Sequence, residues 1–241
     1  MKEPTGVLYL VATPIGNLSD ITFRAVEILR KVDFVICEDS RRSGMLLKHL
    51  DIKKPLRTYH DHSSAGKQEA LVRELKEGAS AAYVTDAGTP LISDPGFSLV
   101  RDLIEAGIQI ETIPGPTAFV SALIVSGLPS HAFTFMAYLP QKDKARQDTL
   151  KELAGEKRTL IFYESPYRIL KTLKNMFDIF GDRQASVSRE MTKKFEETVR
   201  GKLSEILDYF GKKKILGEWV IVVSGKGNPD RHREFHDDSE A

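Results

Sequence analysis

Cysteine is nearly absent: Cys37 is the only one in 241 residues. No internal disulfide can form, so the chain must hold together by packing. Val35 and Ile36 beside it read as a buried strand, which makes the thiol a packing group rather than a nucleophile. Long apolar runs are also missing. None approaches the ~20 residues a spanning helix needs, and Met1 to Gly6 lack the apolar core of a signal segment. The expected location is therefore cytoplasmic, with no membrane partner. Neither sign of charge is in excess, since 35 Lys and Arg face 34 Asp and Glu. Whole-protein charge thus makes no case for nucleic acid, and only local patches can. Two phosphate-binding signatures are lacking as well. No Gly-x-Gly-x-x-Gly follows the first strand, which argues against a nicotinamide or flavin fingerprint, and no Gly-Lys-Ser/Thr occurs, which excludes a P-loop ATPase.

What is present is alternation. Apolar, β-branched segments at Val7 to Ala12, Phe34 to Cys37, Ala81 to Thr85, Ile108 to Ile113, Phe133 to Met136, Thr159 to Tyr163, Ala185 to Val187 and Trp219 to Val223 predict strands. Between them, helical spacing of Leu, Ile, Val and Phe covers Ile21 to Val32, Ser43 to Leu50, Ala65 to Glu77, Phe97 to Ala106, Thr117 to Ser126, Asp148 to Leu153, Pro166 to Phe180 and Ser204 to Phe210. The class is α/β. Ser19 or Asp20 is placed to cap the first helix. The Gly/Pro break at Ser126 to Ser130 sets an expected boundary between an N-terminal α/β domain, 1–126, and a C-terminal α/β domain, 131–227. The acidic, aperiodic stretch 228–241 predicts a mobile tail.

Chemistry concentrates in the strand-end loops. The richest, Thr85-Asp86-Ala87-Gly88-Thr89-Pro90-Leu91-Ile92-Ser93-Asp94-Pro95-Gly96, sets acids, glycines and prolines between a strand and a helix. Glycine lets a ligand approach the backbone, proline fixes φ, and Asp94-Pro95 suits a helix N-cap and first position. Thr13-Pro14-Ile15-Gly16-Asn17, Pro114-Gly115-Pro116-Thr117-Ala118 and Glu164-Ser165-Pro166-Tyr167-Arg168 follow other strands in the same way, with Ser165 and Pro166 suited to starting a helix. Such loops lie outside the carboxyl ends of the strands, where open α/β sheets bind ligands.

In order, the Ala-Thr-Pro-Ile-Gly-Asn start, Glu-Asp-Ser-Arg after the second strand, the Asp86 to Gly96 loop, Pro-Gly-Pro-Thr-Ala and Tyr-Glu-Ser-Pro-Tyr-Arg resemble a tetrapyrrole-methylase-fold methyltransferase. Within that superfamily they most resemble the ribosomal small subunit methyltransferase I family, over roughly Gly6 to Gly227. The resemblance implies two α/β lobes with a cofactor cleft between them, and S-adenosylmethionine as cofactor. It implies 2′-O-methylation of a cytidine ribose in the decoding region of 16S rRNA, position 1402 in rRNA numbering, with the assembled small subunit as partner and a homodimer as the acting form. Family members often carry a further C-terminal extension.

The cofactor residues so implied are Pro14, Asp86, Gly88, Thr89, Pro90, Ile92, Thr117 and Ala118, with Tyr138 and Leu139 from the second lobe. No metal is needed, because methyl transfer from a sulfonium is an in-line displacement that asks for alignment and exclusion of water. A ribose hydroxyl is a poor nucleophile, so Glu38, Asp39 or Glu190 is a candidate to take or orient its proton. Arg41, Arg42, Arg168, Arg189 and Lys193 are candidate phosphate contacts. Ordinary strand-end ion pairs are the competing reading for each of these charges. Lys142, Lys144 and Arg146 form one positive cluster and Lys212 to Lys214 another. His60-Asp61-His62 has the spacing of a two-histidine pair without a third ligand, and reads better as a polar wall of an RNA cleft or an exposed strand end. The tail histidines His232 and His236 take no metal assignment. Two other functions fit the same features: methylation of a corrin or porphyrin precursor on this fold, and noncatalytic RNA binding.

Overall fold

The computed structural model describes residues 6–61 and 65–227; the tail 228–241, with His232 and His236, and His62 lie outside the described residues. The chain divides into two compact units between Thr117 and Ala118. In the first, β1 (Val7–Val11), β2 (Phe34–Cys37), β3 (Leu56–Thr58), β4 (Ala81–Val84) and β5 (Gln109–Ile113) form a sheet of order β3-β2-β4-β1-β5, parallel at every pairing. Four helices connect them: α1 (Phe23–Lys31), α2 (Ser40–His49), α3 (Ala65–Lys76) and α4 (Phe97–Glu105).

Alternate strand residues point to opposite faces, and the sequence is apolar on both. Tyr9, Val11, Val35, Cys37 and Val84 lie against Ala25 and Leu29 of α1 and Leu47 of α2. On the other face Leu8, Phe34, Ile36 and Tyr83 lie against Leu75 of α3 and Leu99 and Leu103 of α4. The adjacent strands β1 and β4 therefore send their helices to opposite faces. That makes the gap beyond their carboxyl ends the topological switch point, where a crevice opens.

In the second unit β6 (Phe133–Tyr138), β7 (Thr159–Glu164), β8 (Gln184–Arg189), β9 (Glu197–Lys202) and β10 (Trp219–Val223) form a sheet of order β6-β7-β10-β8-β9. β6 is parallel to β7, and β10 is antiparallel to both β7 and β8, so β6, β7 and β8 end on one edge. Helices α6 (Asp143–Leu153), α7 (Ile169–Phe180) and α8 (Leu203–Gly211) bury Leu150, Leu173, Met176, Ile206 and Phe210 with Phe162, Trp219 and Ile221. Helix α5 (Ala118–Ser126) packs on β7, β8, β9 and β10. The unit boundary consequently falls ahead of this helix, whereas the Gly/Pro break at 126–130 follows it.

Helices α2 and α6 begin earlier than expected, at Ser40 and Asp143, and the three expected caps are placed differently. Helix α1 is capped by Thr22, whose hydroxyl accepts from the Ala25 amide at 3.1 Å, while Ser19 and Asp20 belong to a one-turn 3-10 helix. Helix α4 begins after Gly96 at φ +120°, and the Gly96 amide donates to Asp61 at 2.9 Å; Asp94 does not cap it. Helix α7 begins at Ile169, because Ser165 spends its carbonyl on the Arg168 and Ile169 amides (3.2 and 3.1 Å) and Ser165-Pro166 forms the preceding turn.

Candidate active site

Three loops at the switch point of the first unit are stitched into one surface. Thr13, after β1, and Gly88, after β4, exchange both backbone hydrogen bonds, at 2.9 and 3.0 Å, and the Thr13 hydroxyl donates to the Thr85 carbonyl at 3.3 Å. The loop after β5 joins through hydroxyls: Thr89 Oγ1 and Thr117 Oγ1 are 2.6 Å apart, and Thr89 Oγ1 also donates to the Pro116 carbonyl at 3.3 Å. Gly88 has φ +87°, and a Cβ there would sit 3.3 Å from Ile15 Cγ2. Only glycine meets both conditions without strain. Pro90 is buried and Pro14 and Ile92 are half-buried, with the Ile92 amide donating to the Thr89 carbonyl at 3.3 Å. The non-glycine residues Leu91 (φ +69°) and Ser93 (φ +65°) hold the rest of the β4 loop in a left-handed conformation, a cost that loops bear where ligands are gripped.

Acidic groups gather beside this surface. Asp86 pairs with Arg42 at 3.2 Å through Oδ2, while its Oδ1 is buried and has no hydrogen-bond partner among the described residues. Such an atom is costly unless something else donates to it. Cys37 is in register with Val84, so Glu38 comes level with Thr85. Half-buried, Glu38 makes no hydrogen bond or ion pair among the described residues. Asp39, next to it, is fully engaged. It caps α2 by accepting from the Arg41 amide at 2.8 Å and binds the Arg41 guanidinium at 3.2 and 2.9 Å, which holds its carboxyl down at about 2. Cys37 is buried, and burial pushes its thiol up.

Asp94 carries a signal that sequence reading missed by treating it as a cap. Burial pushes its carboxyl up to about 6; the Thr85 hydroxyl pulls the other way, and the Glu38 and Asp86 carboxylates add to the rise. An ordinary carboxyl titrates near 4, so between about 4 and 6 the folded chain holds this proton more tightly than the unfolded chain does. Its contribution is greatest below that window and is lost as pH rises through 6. Asp94→Asn is accordingly expected to stabilise the protein at pH 8 by on the order of 1 kcal/mol, allowing for solvent that still reaches the group. The gain should vanish below pH 4 in urea titrations, and equal midpoints at pH 8 would contradict the raised affinity for the proton.

In the second unit the predicted contacts divide. Tyr138 ends β6 after a β-bulge that contains Ala137 (φ +54°); Leu139, next in the chain, is buried, and the Tyr138 ring lies 5.6 Å from Tyr163. Arg168 turns inward onto the buried Glu164, with Nε 2.9 Å and Nη2 2.8 Å from Oε1, and also donates to the Leu139 carbonyl at 3.2 Å. It fixes the β6 loop. Arg189 binds Glu197 at 2.7 Å, and Lys193 is shared by Glu190 at 2.9 Å and Glu218 at 2.8 Å. Burial acts to raise the Glu190 carboxyl, but Lys193 and the Glu218 amide outweigh it and the net shift is downward. Arg146 is buried against Asp143 and the Gln141 carbonyl, so it drops out of the cluster with Lys142 and Lys144.

These features define the class. Residues 7–207 match the tetrapyrrole (corrin/porphyrin) methylase family. The uroporphyrin-III C-methyl transferase of Thermus thermophilus, crystallised with S-adenyl homocysteine, has the same fold, at a TM-score of 0.62 and 19% identity over 91% of this chain and 97% of that one. Ribosomal RNA small subunit methyltransferase I of Haemophilus influenzae is 47% identical over 238 residues, 98% of this chain and 84% of that protein. Its counterpart in Thermotoga maritima is 47% identical over 221 residues, 92% of this chain and 99% of that protein. The chain belongs to the ribosomal RNA small subunit methyltransferase I family, within the tetrapyrrole methylases.

Proposed function

We propose that the protein is an S-adenosylmethionine-dependent methyltransferase acting on 16S rRNA, with the ribose 2′-hydroxyl of the decoding-region cytidine at position 1402 as acceptor, in the assembled small subunit. The observation that carries the reading is the stitched surface of Thr13, Gly88, Thr89 and Thr117 with the unpartnered Asp86 Oδ1 beside it, in a chain of this family. The cofactor fits there. Gly88, by its positive φ and its two bonds to Thr13, holds the loops in place, and Asp86 Oδ1 can accept a hydrogen bond. Pro14, Pro90, Ile92 and Ala118 supply the apolar remainder. When bound, S-adenosylmethionine supplies an electrophilic methyl group on a sulfonium.

The chain's own work is positioning and proton transfer. Of the three candidate bases Glu38, Asp39 and Glu190, Asp39 is spent on Arg41 and Glu190 on Lys193, which leaves Glu38 as the one able to accept the hydroxyl proton. Arg41 and Arg42 are exposed at the same rim and suit phosphate contacts. A second copy of the chain is the natural cover for Val120, Ile124 and Val125, which α5 leaves exposed. That supports the homodimer, acting in the cytoplasm where the subunits are.

Small subunits from cells lacking the gene, offered labelled cofactor beside a uroporphyrinogen-type tetrapyrrole, are expected to take up the label in RNA; label in the tetrapyrrole alone would overturn the reading. Glu38→Gln is expected to lower kcat for RNA roughly 100- to 10,000-fold with cofactor affinity in calorimetry kept. An unchanged kcat removes Glu38 as base.

A further inference from the structure

The edge of the second sheet where β6, β7 and β8 end carries two aromatic rings presented to solvent by turns that are otherwise tightly held. Tyr167 is 91% exposed, yet its neighbours are fixed: the Ser165 amide donates to Glu164 at 2.7 Å, and Arg168 is locked onto the same carboxylate. Phe195 is 66% exposed in a loop pinned by Lys193 on Glu190 and Glu218. The Thr192 amide donating to Glu196 at 2.7 Å adds to the hold, and Glu190 (φ +49°) and Thr192 (φ +65°) both stand in the left-handed region. Trp219 is in register with both Glu164 and Arg189, which sets the two turns on the same edge.

Two exposed rings held on firm turns of one sheet edge, the Phe195 turn strained as well, are presented ready for a partner. Charge narrows the choice. Lys194 lies 5.7 Å from the Phe195 ring centroid, and Lys142 and Lys144 are exposed just beyond β6, whereas the nearby acids Glu190, Glu196 and Glu218 are engaged by Lys193 and the Thr192 amide. Rings interleaved with unpaired cations are how proteins hold single-stranded nucleic acid, bases on the rings and phosphates on the cations.

We propose that this edge is a stacking platform for unpaired RNA bases flanking the methylated nucleotide, with Tyr167 and Phe195 as ring faces and Lys142, Lys144 and Lys194 as phosphate contacts. It rests on RNA being the substrate. It also lies on the edge where Tyr138 ends β6 and Leu139 follows.

The test uses a fluorescently labelled single-stranded RNA of about 12 nucleotides, intact small subunits and the full chain. Tyr167→Ala and Phe195→Ala are each expected to weaken oligonucleotide binding and raise KM for subunits roughly 5- to 150-fold, with cofactor affinity and the unfolding midpoint unchanged. Phe195→Trp is expected to keep RNA affinity, and its indole emission should be quenched as RNA is added. If the wild type methylates subunit RNA while both alanine variants match its oligonucleotide affinity and KM, the platform is overturned and the RNA reading stands. A wild type that methylates no RNA overturns both.

Discussion

Gly88→Val is expected to lose at least 100-fold in S-adenosylmethionine affinity while the far-ultraviolet circular dichroism stays that of the wild type. The residue sits at φ +87°, where a β-branched side chain is strained, and the new Cβ would press on Ile15 Cγ2 at 3.3 Å. Its amide and carbonyl both bind Thr13, so the strain is relieved by opening that bridge and separating the β1 and β4 loops. The buried strands beneath, Leu8 to Val11 and Ala81 to Val84, are not touched. Gly88→Ala should fall between, because it shares the strain without the branch. Calorimetric titration decides the matter, and wild-type affinity in the valine variant would take this loop out of the site.

The largest expected loss of stability comes from Glu164→Ala, on the order of 3–5 kcal/mol. Glu164 accepts from the Ser165 amide at 2.7 Å, Arg168 Nε at 2.9 Å and the Thr172 hydroxyl at 2.6 Å, and its side chain is fully buried. Removing it leaves a mostly buried guanidinium and two further donors without an acceptor, which costs more than the pair itself contributes. The double variant Glu164→Leu with Arg168→Met should recover much of the loss, since the burial penalty of both charges goes with them. Urea unfolding of the single and double variants tests this; a single variant within 1 kcal/mol of wild type would contradict the burial argument.

The strand-end loops were legible in the sequence because glycine and proline restrict the backbone whatever surrounds them: Gly88 and Gly96 have the positive φ their loop suggested. Strands with apolar signatures were legible too, Phe34–Cys37 and Trp219–Val223 to the residue. Two of the four edge strands, Leu56–Thr58 and Glu197–Lys202, were not, because an edge strand faces water and its side chains need no apolar pattern. Charge was the least legible feature. Arg41, Arg42, Arg168, Arg189 and Lys193 read as phosphate contacts, and each meets an acid of its own unit. A sequence shows that a charge exists and not whether the fold has already engaged it. The Glu164-to-Arg168 spacing of four was the available sign of one such pair. Asp61 was hidden for a similar reason: the amide it binds, Gly96, is 35 residues away.

Where the methyl group goes separates a ribose acceptor from every other. Purified protein, labelled S-adenosylmethionine and small subunits from cells lacking the gene would be incubated, and the 16S rRNA digested and mapped by mass spectrometry. Label is expected on the ribose of a single cytidine in the decoding region, with the 2′-oxygen blocked against alkaline cleavage at that nucleotide. Label on a base, or none from a protein that still binds the cofactor in a parallel titration, would contradict it.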